Sequence, residues 1–232
     1  MKQEALKAAF PKTLPVLFGY VFLGIAFGVI LSSKGYGLEW ALALSLFVYA
    51  GSMQFVAVNL LNSAFDPLSV AIITLLVNAR HLFYGLSMLE LFKNTGKLKS
   101  YLIFSLTDET YSLHCSSSCP AGVDQKWYLF FTSLLNHIYW IIGSVIGSVV
   151  GSLLQFNSTG IDFALTALFL VIFIEQWEKT KDHLPALLGL FATLLCLVLF
   201  GSTWFIVAAM FVILAGFFLL YNIEGRDKYD QL

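Results

Sequence analysis

Long apolar stretches separated by short polar breaks run along almost the whole chain. They cover approximately residues 14–33, 38–61, 67–91, 99–114, 127–154, 161–177, 184–200 and 203–221. A helix rises about 1.5 Å per residue, so most of these stretches could cross a hydrocarbon core of about 30 Å. The pattern predicts an all-α, polytopic helical membrane protein with seven to eight helical elements. In the last stretches, Gly201-Ser202 is the expected junction between two spans.

Composition narrows the class further. Of the 232 residues, 59% are hydrophobic and only 12% are charged, which is too apolar for a soluble domain. The formal net charge of −1 provides no basic surface for nucleic acid. We therefore expect one transmembrane domain over residues 1–232, with the lipid bilayer as its surroundings.

The second segment is predicted to be a broken helix. Lysines in the N-terminal region and in the loop after the third segment (residues 93–99) both favour the cytoplasmic side. Three ordinary crossings would place these two regions on opposite sides of the membrane. The sequence Tyr49-Ala50-Gly51-Ser52-Met53-Gln54 brings a glycine and polar groups into the second segment. Such backbone is tolerated at membrane depth only against protein or a water-filled cavity.

A short motif occurs twice along the chain. Residues 37–42 (Gly-Leu-Glu-Trp-Ala-Leu) correspond to residues 160–165 (Gly-Ile-Asp-Phe-Ala-Leu). The similarity predicts an internal repeat with halves of about 10–115 and 127–222, as in many transporter folds. Chance is the alternative, because a turn followed by an interfacial aromatic residue and a helix start can give the same letters.

Arg80 lies near the middle of the third segment, beside Asn78 and His81. A charge at that depth costs at least about 2.5–3.5 kcal/mol, so it needs a partner, a cavity or a substrate path. Asp108 and Glu109 are the only acidic pair inside an apolar segment, and we expect Arg80 to pair with one of them. The pair could be static, or it could exchange contacts with a substrate or a proton.

Further polar residues inside apolar segments complete the candidate site. Those expected to bind substrate are Tyr49, Gly51, Ser52, Gln54, Asn78, His81 and Asn136; those expected to couple or gate transport are Arg80, Asp108, Glu109 and His137. Gly51 could free backbone amides for an anionic group, or it could permit close helix packing. The histidines could relay protons or be hydrogen-bonded structural residues.

Small residues recur at every fourth position in two segments. Gly143, Gly147 and Gly151 form one stripe, and Gly24 with Gly28 forms another. Such spacing lets helix backbones approach closely, so both stripes are predicted packing faces.

Other chemistries lack support in the sequence. Cys115 and Cys119 form a C-x3-C without the further ligands of a metal site, so they are expected to be loop thiols or a local disulfide. No P-loop, GxSxG or HExxH motif occurs. We expect no metal, no cofactor and no enzymatic activity.

Linked motifs in this order resemble the AzlC family, the large subunit of branched-chain amino-acid permeases. They are Pro15, Gly19, Gly24-x2-Phe27-Gly28, Tyr49–Phe55, Asn78–His81, Leu106–Thr110, Asn136-His137-x-Tyr139-Trp140 and Gly143. The resemblance implies a transporter domain that exports valine, leucine and isoleucine, with methionine as a further candidate. It also implies a bacterial inner membrane and a small AzlD-type partner subunit, while an ion gradient is the expected energy source.

Three alternatives fit the same polar core. The chain could carry another small zwitterion or an organic acid, it could be a passive channel, or it could be a scaffold subunit without transport activity of its own. The positive charges place its N-terminus on the cytoplasmic side.

Overall fold

The computed structural model describes residues 2–61, 66–116, 119–153 and 183–229, together with residues 170, 173, 174, 177 and 178. Every regular element in these ranges is helical. The chain divides into two compact units, Met1–Leu165 and Thr166–Leu232. Four helical stretches are long and apolar enough to cross a membrane: Lys2–Ser33, Pro67–Ser87, Gln125–Leu153 and Leu184–Gly201. The predicted polytopic helical membrane protein is confirmed.

In the first unit, helix α1 (Lys2–Ser33) packs along helix α7 (Gln125–Leu153). Glycines from both helices line the contact. A Cβ atom on Gly24 would lie 2.8 Å from the Ser144 nitrogen, and one on Gly143 would lie 2.7 Å from the Val21 oxygen. Gly28 and Gly147 are closer still to the opposite backbone, so a side chain cannot fit without moving a helix. The predicted packing faces are therefore confirmed, and they face each other.

The second apolar segment is broken, as predicted. Helix α2 (Leu38–Ala43) continues as a π-helical turn (Leu44–Val48), and helix α3 (Gly51–Leu61) follows. Tyr49 joins them in a left-handed conformation, with φ 44° and ψ 45°. The expected break at Gly51 is displaced by two residues, because Gly51 already begins the next helix. A Cβ atom there would lie 3.2 Å from the Trp140 ring, so the close-packing interpretation of Gly51 holds.

A second break lies where the sequence predicted one segment over residues 99–114. After helix α4 (Pro67–Ser87) and a 3₁₀ turn (Gly96–Leu98), helix α5 covers only Lys99–Phe104. Helix α6 (Asp108–Ser116) begins after Ser105, Leu106 and Thr107. The Thr107 Oγ1 accepts a hydrogen bond from the Thr110 backbone nitrogen at 3.3 Å, which caps the new helix.

The second unit contains helix α8 (Leu184–Tyr229). Its direction changes at Gly201, where φ is 67° and ψ is 179°, a backbone conformation open essentially to glycine alone. This confirms the predicted junction at Gly201-Ser202. The second copy of the repeated motif, residues 160–165, lies outside the described residues, so the internal repeat stays a prediction.

Cys115 and Cys119 are both free thiols, but Cys115 lies in the last turn of helix α6, so of the two expected loop thiols only Cys119 lies in a loop. Cys119 Sγ donates to the Val123 carbonyl oxygen at 3.4 Å. In the part of the chain that the structure describes, no group of three or more His, Cys, Asp or Glu side chains is arranged to hold a metal ion.

Candidate functional site

Arg80 of helix α4 forms an ion pair with Asp108 at the start of helix α6. The Arg80 Nη1 lies 2.7 Å from Asp108 Oδ2, and the Arg80 Nη2 donates to Ser52 Oγ at 2.7 Å. Tyr84, one helical turn after Arg80, donates its hydroxyl to Asp108 Oδ1 at 2.8 Å. Both carboxylate oxygens of Asp108 are therefore engaged, and helices α3, α4 and α6 are tied together.

This ion pair is not sealed inside the protein. The side chains of Arg80 and Asp108 are 36% and 30% exposed, and helix α4 contains no fully buried residue. On helix α4, Arg80 and Tyr84 share one polar face, and Asn78, His81 and Gly85 share the adjacent one. Arg80 and Tyr84 do contact α3 or α6, whereas nothing lies within 4 Å of a Cβ built on Gly85. The face with Asn78, His81 and Gly85 is thus only partly covered.

Glu109 follows Asp108 directly, yet its contacts are different. Tyr20 of helix α1 donates its hydroxyl to Glu109 Oε2 at 2.6 Å. No lysine or arginine in the described ranges forms an ion pair with Glu109. Both acids lie in the first turn of α6, where the N-terminal end of the helix dipole favours negative charge.

A chain of hydroxyl groups runs inward from Glu109 to helix α7. The Tyr20 hydroxyl is 2.6 Å from Thr107 Oγ1, and Thr107 Oγ1 is 2.9 Å from Thr110 Oγ1. Asn136 donates its Nδ2 to Thr110 Oγ1 at 3.0 Å. This network connects helix α1, the second helix break and helix α7.

His137 ties the first helix break to the same region. Its Nε2 is 3.1 Å from the Ser45 carbonyl oxygen, and its Nδ1 is 3.0 Å from the Tyr101 hydroxyl. A carbonyl oxygen can only accept, so the hydrogen-bond network assigns the imidazole proton to Nε2. The Nδ1 then accepts from Tyr101. The ring of Tyr49 stacks on His137 with centroids 4.1 Å apart, so His137 joins the first helix break to α5.

Gln54 is fully buried in a separate hydrogen-bond set. Trp140 Nε1 donates to Gln54 Oε1 at 2.8 Å, and Gln54 Nε2 is 3.4 Å from Ser45 Oγ. The amide therefore connects α3 to α7 and to the π-helical turn, and both its ends are already used in this conformation.

The predicted site residues thus fall into three groups. Ser52, Arg80, Asp108 and Glu109 lie close together at the start of α6. Tyr49, Asn136 and His137 lie further inward, with Gly51 and Gln54 against Trp140. Asn78 and His81 stand apart on α4, where His81 Nδ1 is 3.2 Å from the Asn78 carbonyl oxygen.

Several residues of the network were not among the predicted substrate-binding or coupling residues. They are Tyr20, Ser45, Tyr84, Tyr101, Thr107 and Thr110. The position of Tyr84 beside Arg80 does follow from the sequence, because Tyr84 comes one turn after Arg80 and shares its helix face. Tyr20 carries no local signal, because its partners Thr107 and Glu109 are 87 and 89 residues away in the sequence.

Comparison with known proteins connects this arrangement to one family. The family described as AzlC protein matches residues 15–154. A branched-chain amino acid transport protein AzlC from Bacillus subtilis is 50% identical over 210 residues, which cover 90% of this chain and 83% of that protein. An uncharacterized membrane protein from Haemophilus influenzae is 44% identical, with 89% of this chain and 85% of that protein covered.

More distant similarity extends to the inner membrane protein YgaZ from Escherichia coli. It is 26% identical over 179 residues, which cover 73% of this chain and 72% of that protein. No solved structure matches the chain. The matched region of the family, residues 15–154, contains every residue of the candidate site.

Proposed function

Because this chain belongs to the AzlC family, we propose that it is an amino-acid transporter that exports branched-chain amino acids. The observation that carries the proposal is the 50% identity to the Bacillus subtilis branched-chain amino acid transport protein over 90% of this chain. The family match, over residues 15–154, spans the whole candidate site. Valine, leucine and isoleucine are the proposed substrates, with methionine as a further candidate.

The geometry of the site supports transport of a zwitterion. Two interrupted helices meet in the first unit, and transporter folds commonly use such breaks to expose backbone polar groups near the middle of the membrane. Arg80 presents a partly exposed guanidinium that a carboxylate could approach, and Asp108 and Glu109 present anionic groups beside it. Exposed aliphatic side chains on α4, such as Leu75 and Leu82, are suited to lipid or to an apolar partner.

The energy source and the setting belong to the same proposal. We place the chain in a bacterial inner membrane, with its N-terminus in the cytoplasm because Lys2, Lys7 and Lys12 lie in the first turns of α1, ahead of its charge-free stretch. An ion gradient would drive export. A small AzlD-type membrane subunit is the proposed partner, because the resemblance to the AzlC family implies a permease of two subunits.

Counter-transport in liposomes tests the proposal directly. The chain is reconstituted with and without the small subunit, the vesicles are loaded with leucine, and uptake of labelled valine is measured. We expect saturable exchange that valine, leucine and isoleucine support and that glutamate or lysine does not. A flux that never saturates would indicate a channel, and no flux with the partner present would indicate a scaffold.

The role of the ion pair is tested in the same assay. Arg80→Ala and Asp108→Asn should each lower exchange at least about tenfold, since each removes one side of a charge pair that the substrate would have to approach. Lys93→Ala is the matched control, because Lys93 forms an exposed ion pair with Glu90 at 3.5 Å away from the site. Near-normal exchange by Arg80→Ala with intact expression would refute the site assignment.

A further inference from the structure

Two buried polar atoms near the helix breaks have no hydrogen-bond partner among the described residues. They are the Tyr49 hydroxyl and the Asn136 Oδ1. Tyr49 is only 3% exposed and Asn136 is fully buried, so neither atom reaches bulk water. A buried polar group without a partner costs about 1–3 kcal/mol, and native structures rarely keep one without a reason.

Both atoms border the same small region. Asn136 donates its Nδ2 to Thr110 Oγ1 at 3.0 Å, which places its free Oδ1 beside helix α6. The Tyr49 hydroxyl lies near the side chains of Tyr20, Thr110 and Glu109, but none of them meets hydrogen-bond geometry with it. The region is therefore bounded by the first helix break, the start of α6 and the middle of α7.

The chemistry of this region favours a positive charge. Asn136 Oδ1 can only accept hydrogen bonds, the Tyr49 oxygen can accept, and the Glu109 carboxylate is an acceptor that lacks an ion-pair partner in the described ranges. Both ring nitrogens of His137 beside Tyr49 are already engaged, by the Tyr101 hydroxyl and the Ser45 carbonyl oxygen. Arg80 is the nearby cation, and Asp108 already compensates it.

We propose that Tyr49, Asn136 and Glu109 together bind a monovalent cationic group, either the α-ammonium of the transported amino acid or a small inorganic cation such as sodium. An ammonium group has three N–H donors, and the three side chains supply three acceptors. Sodium prefers hard oxygen ligands, as other hard cations do, and the same atoms supply them. If the ligand is the α-ammonium of an amino acid, this inference rests on the proposed function. If the ligand is sodium, it does not.

The Tyr49 hydroxyl makes a sharp test, because removing it breaks no hydrogen bond of the unliganded protein. The full chain is purified in detergent, and its thermal unfolding midpoint is followed against added ligand. The ligands are leucine, isoamylamine, 4-methylpentanoate and sodium chloride, with choline chloride holding ionic strength constant. The variants are Tyr49→Phe and Glu109→Gln, and Tyr139→Phe is the matched control.

If the site binds an ammonium group, leucine and isoamylamine should each raise the unfolding midpoint of the wild type. If the site binds an inorganic cation, sodium chloride should raise it. We expect no rise with 4-methylpentanoate alone. Tyr49→Phe should unfold at an unchanged or higher midpoint without ligand. It should need roughly 10- to 100-fold more ligand for the same rise, the weakening expected when a charged group loses one hydrogen bond. Glu109→Gln should lose the response.

Tyr139→Phe should show the reverse behaviour. Its hydroxyl is 3.1 Å from Thr13 Oγ1, so the variant loses an existing hydrogen bond and unfolds earlier, but its ligand response should match wild type. Equal responses of Tyr49→Phe and wild type to leucine would overturn the cation site while leaving the transport proposal standing. A Tyr49-dependent response to sodium without any response to leucine would support the site and count against the proposed substrate. No response to any cation would overturn the site.

Discussion

Asp108 and Glu109 are neighbours in the sequence, begin the same helix and carry the same charge, yet their surroundings differ. Asp108 turns toward helix α4, where Arg80 and Tyr84 occupy both of its oxygens. Glu109 turns toward helix α1, where Tyr20 holds one oxygen. In the first turn of α6, the charge of Asp108 is therefore balanced by Arg80 in a partly exposed ion pair. The Glu109 side chain has a hydroxyl partner but no ion-pair partner in the described ranges.

The difference shows that one carboxylate can stabilise the fold while its neighbour remains available. A partly buried ion pair is costly to break, because removing one partner leaves the other charge without compensation. A carboxylate held only by a hydroxyl can exchange that contact for a cation at lower cost. Asp108 and Glu109 were both predicted to couple or gate transport, and that shared role stays a prediction. Their contacts show that the two side chains have different surroundings.

The largest effect on stability should come from Asp108→Ala. The variant leaves Arg80 without its ion pair, and we expect a loss of about 2 kcal/mol in the free energy of unfolding, below the 3–5 kcal/mol of a fully buried pair because the site is half-exposed. Unfolding in detergent monitored by far-UV circular dichroism measures it. The double variant Arg80→Ala/Asp108→Ala should recover part of the loss. If Glu109→Ala lowered the free energy of unfolding more than Asp108→Ala does, Glu109 and not Asp108 would be the acid that stabilises the fold.

Tyr20→Phe should have the next largest effect. It removes the donor to Glu109 and the contact with Thr107, both at 2.6 Å. Interhelical hydrogen bonds in membrane proteins average about 0.6 kcal/mol, so two of them predict a loss of about 1 kcal/mol. The same unfolding measurement applies. A loss at or above that of Asp108→Ala would mean that Glu109, and not Asp108, anchors the start of α6.

Tyr84→Phe should cost less, about 0.6 kcal/mol, because it removes one hydrogen bond and Asp108 keeps its Arg80 partner. The stack of the Tyr84 and Tyr111 rings, with centroids 4.5 Å apart, should survive the change. Ser87→Ala, which also touches Tyr111, is a suitable control for that stack. A Tyr84→Phe loss equal to that of Asp108→Ala would show that Arg80 contributes little.

Asp66 extends the comparison to an acid outside the membrane-spanning helices, and its effect should be the smallest. Hydrogen bonds from the Ser69 hydroxyl and then from the Leu68 backbone nitrogen lower the pKa of this exposed N-cap carboxyl. A lowered folded-state pKa adds stability above the ordinary value of about 3.9, and that stability is lost as the pH falls through the folded pKa. Asp66→Ala should therefore weaken the first turn of α4 at neutral pH.

Amide hydrogen exchange of Leu68, Ser69 and Val70 measures this effect. The difference between wild type and Asp66→Ala should be clear at pH 7 and should shrink at acidic pH. An equal difference at both pH values would mean that the charge of Asp66 does not matter.

Much of the fold follows from local patterns in the sequence. Gly24, Gly28, Gly143 and Gly147 indicated close helix packing because small residues at every fourth position have few other uses in a membrane helix. Gly201 marked a junction for a similarly local reason. The break in the second segment was predicted, but two residues too late. The polar run begins at Tyr49, and glycine seemed the natural place for irregular backbone, whereas it is Tyr49 that adopts positive φ.

The remaining features depend on contacts between distant residues. The break between α5 and α6 was missed because residues 99–114 were taken as one segment, although Thr107 before Asp108-Glu109 is an N-cap pattern. The pairing of Arg80 with an acid followed from charge alone, but the choice of Asp108 required the structure. The partners of Tyr20 and the unpaired atoms of Tyr49 and Asn136 were beyond any local pattern.

The glycine-lined contact between α1 and α7 also constrains how the first unit can move. Where backbones touch at Gly28 and Gly147, a slide by one helical turn would bring larger side chains into spaces that do not admit even a Cβ. The two longest helices of this unit, α1 and α7, should therefore keep a fixed position relative to each other. The breaks at Tyr49 and at residues 105–107 leave α3 and α6 as short helices outside this glycine-lined contact, and these helices carry Ser52, Asp108 and Glu109.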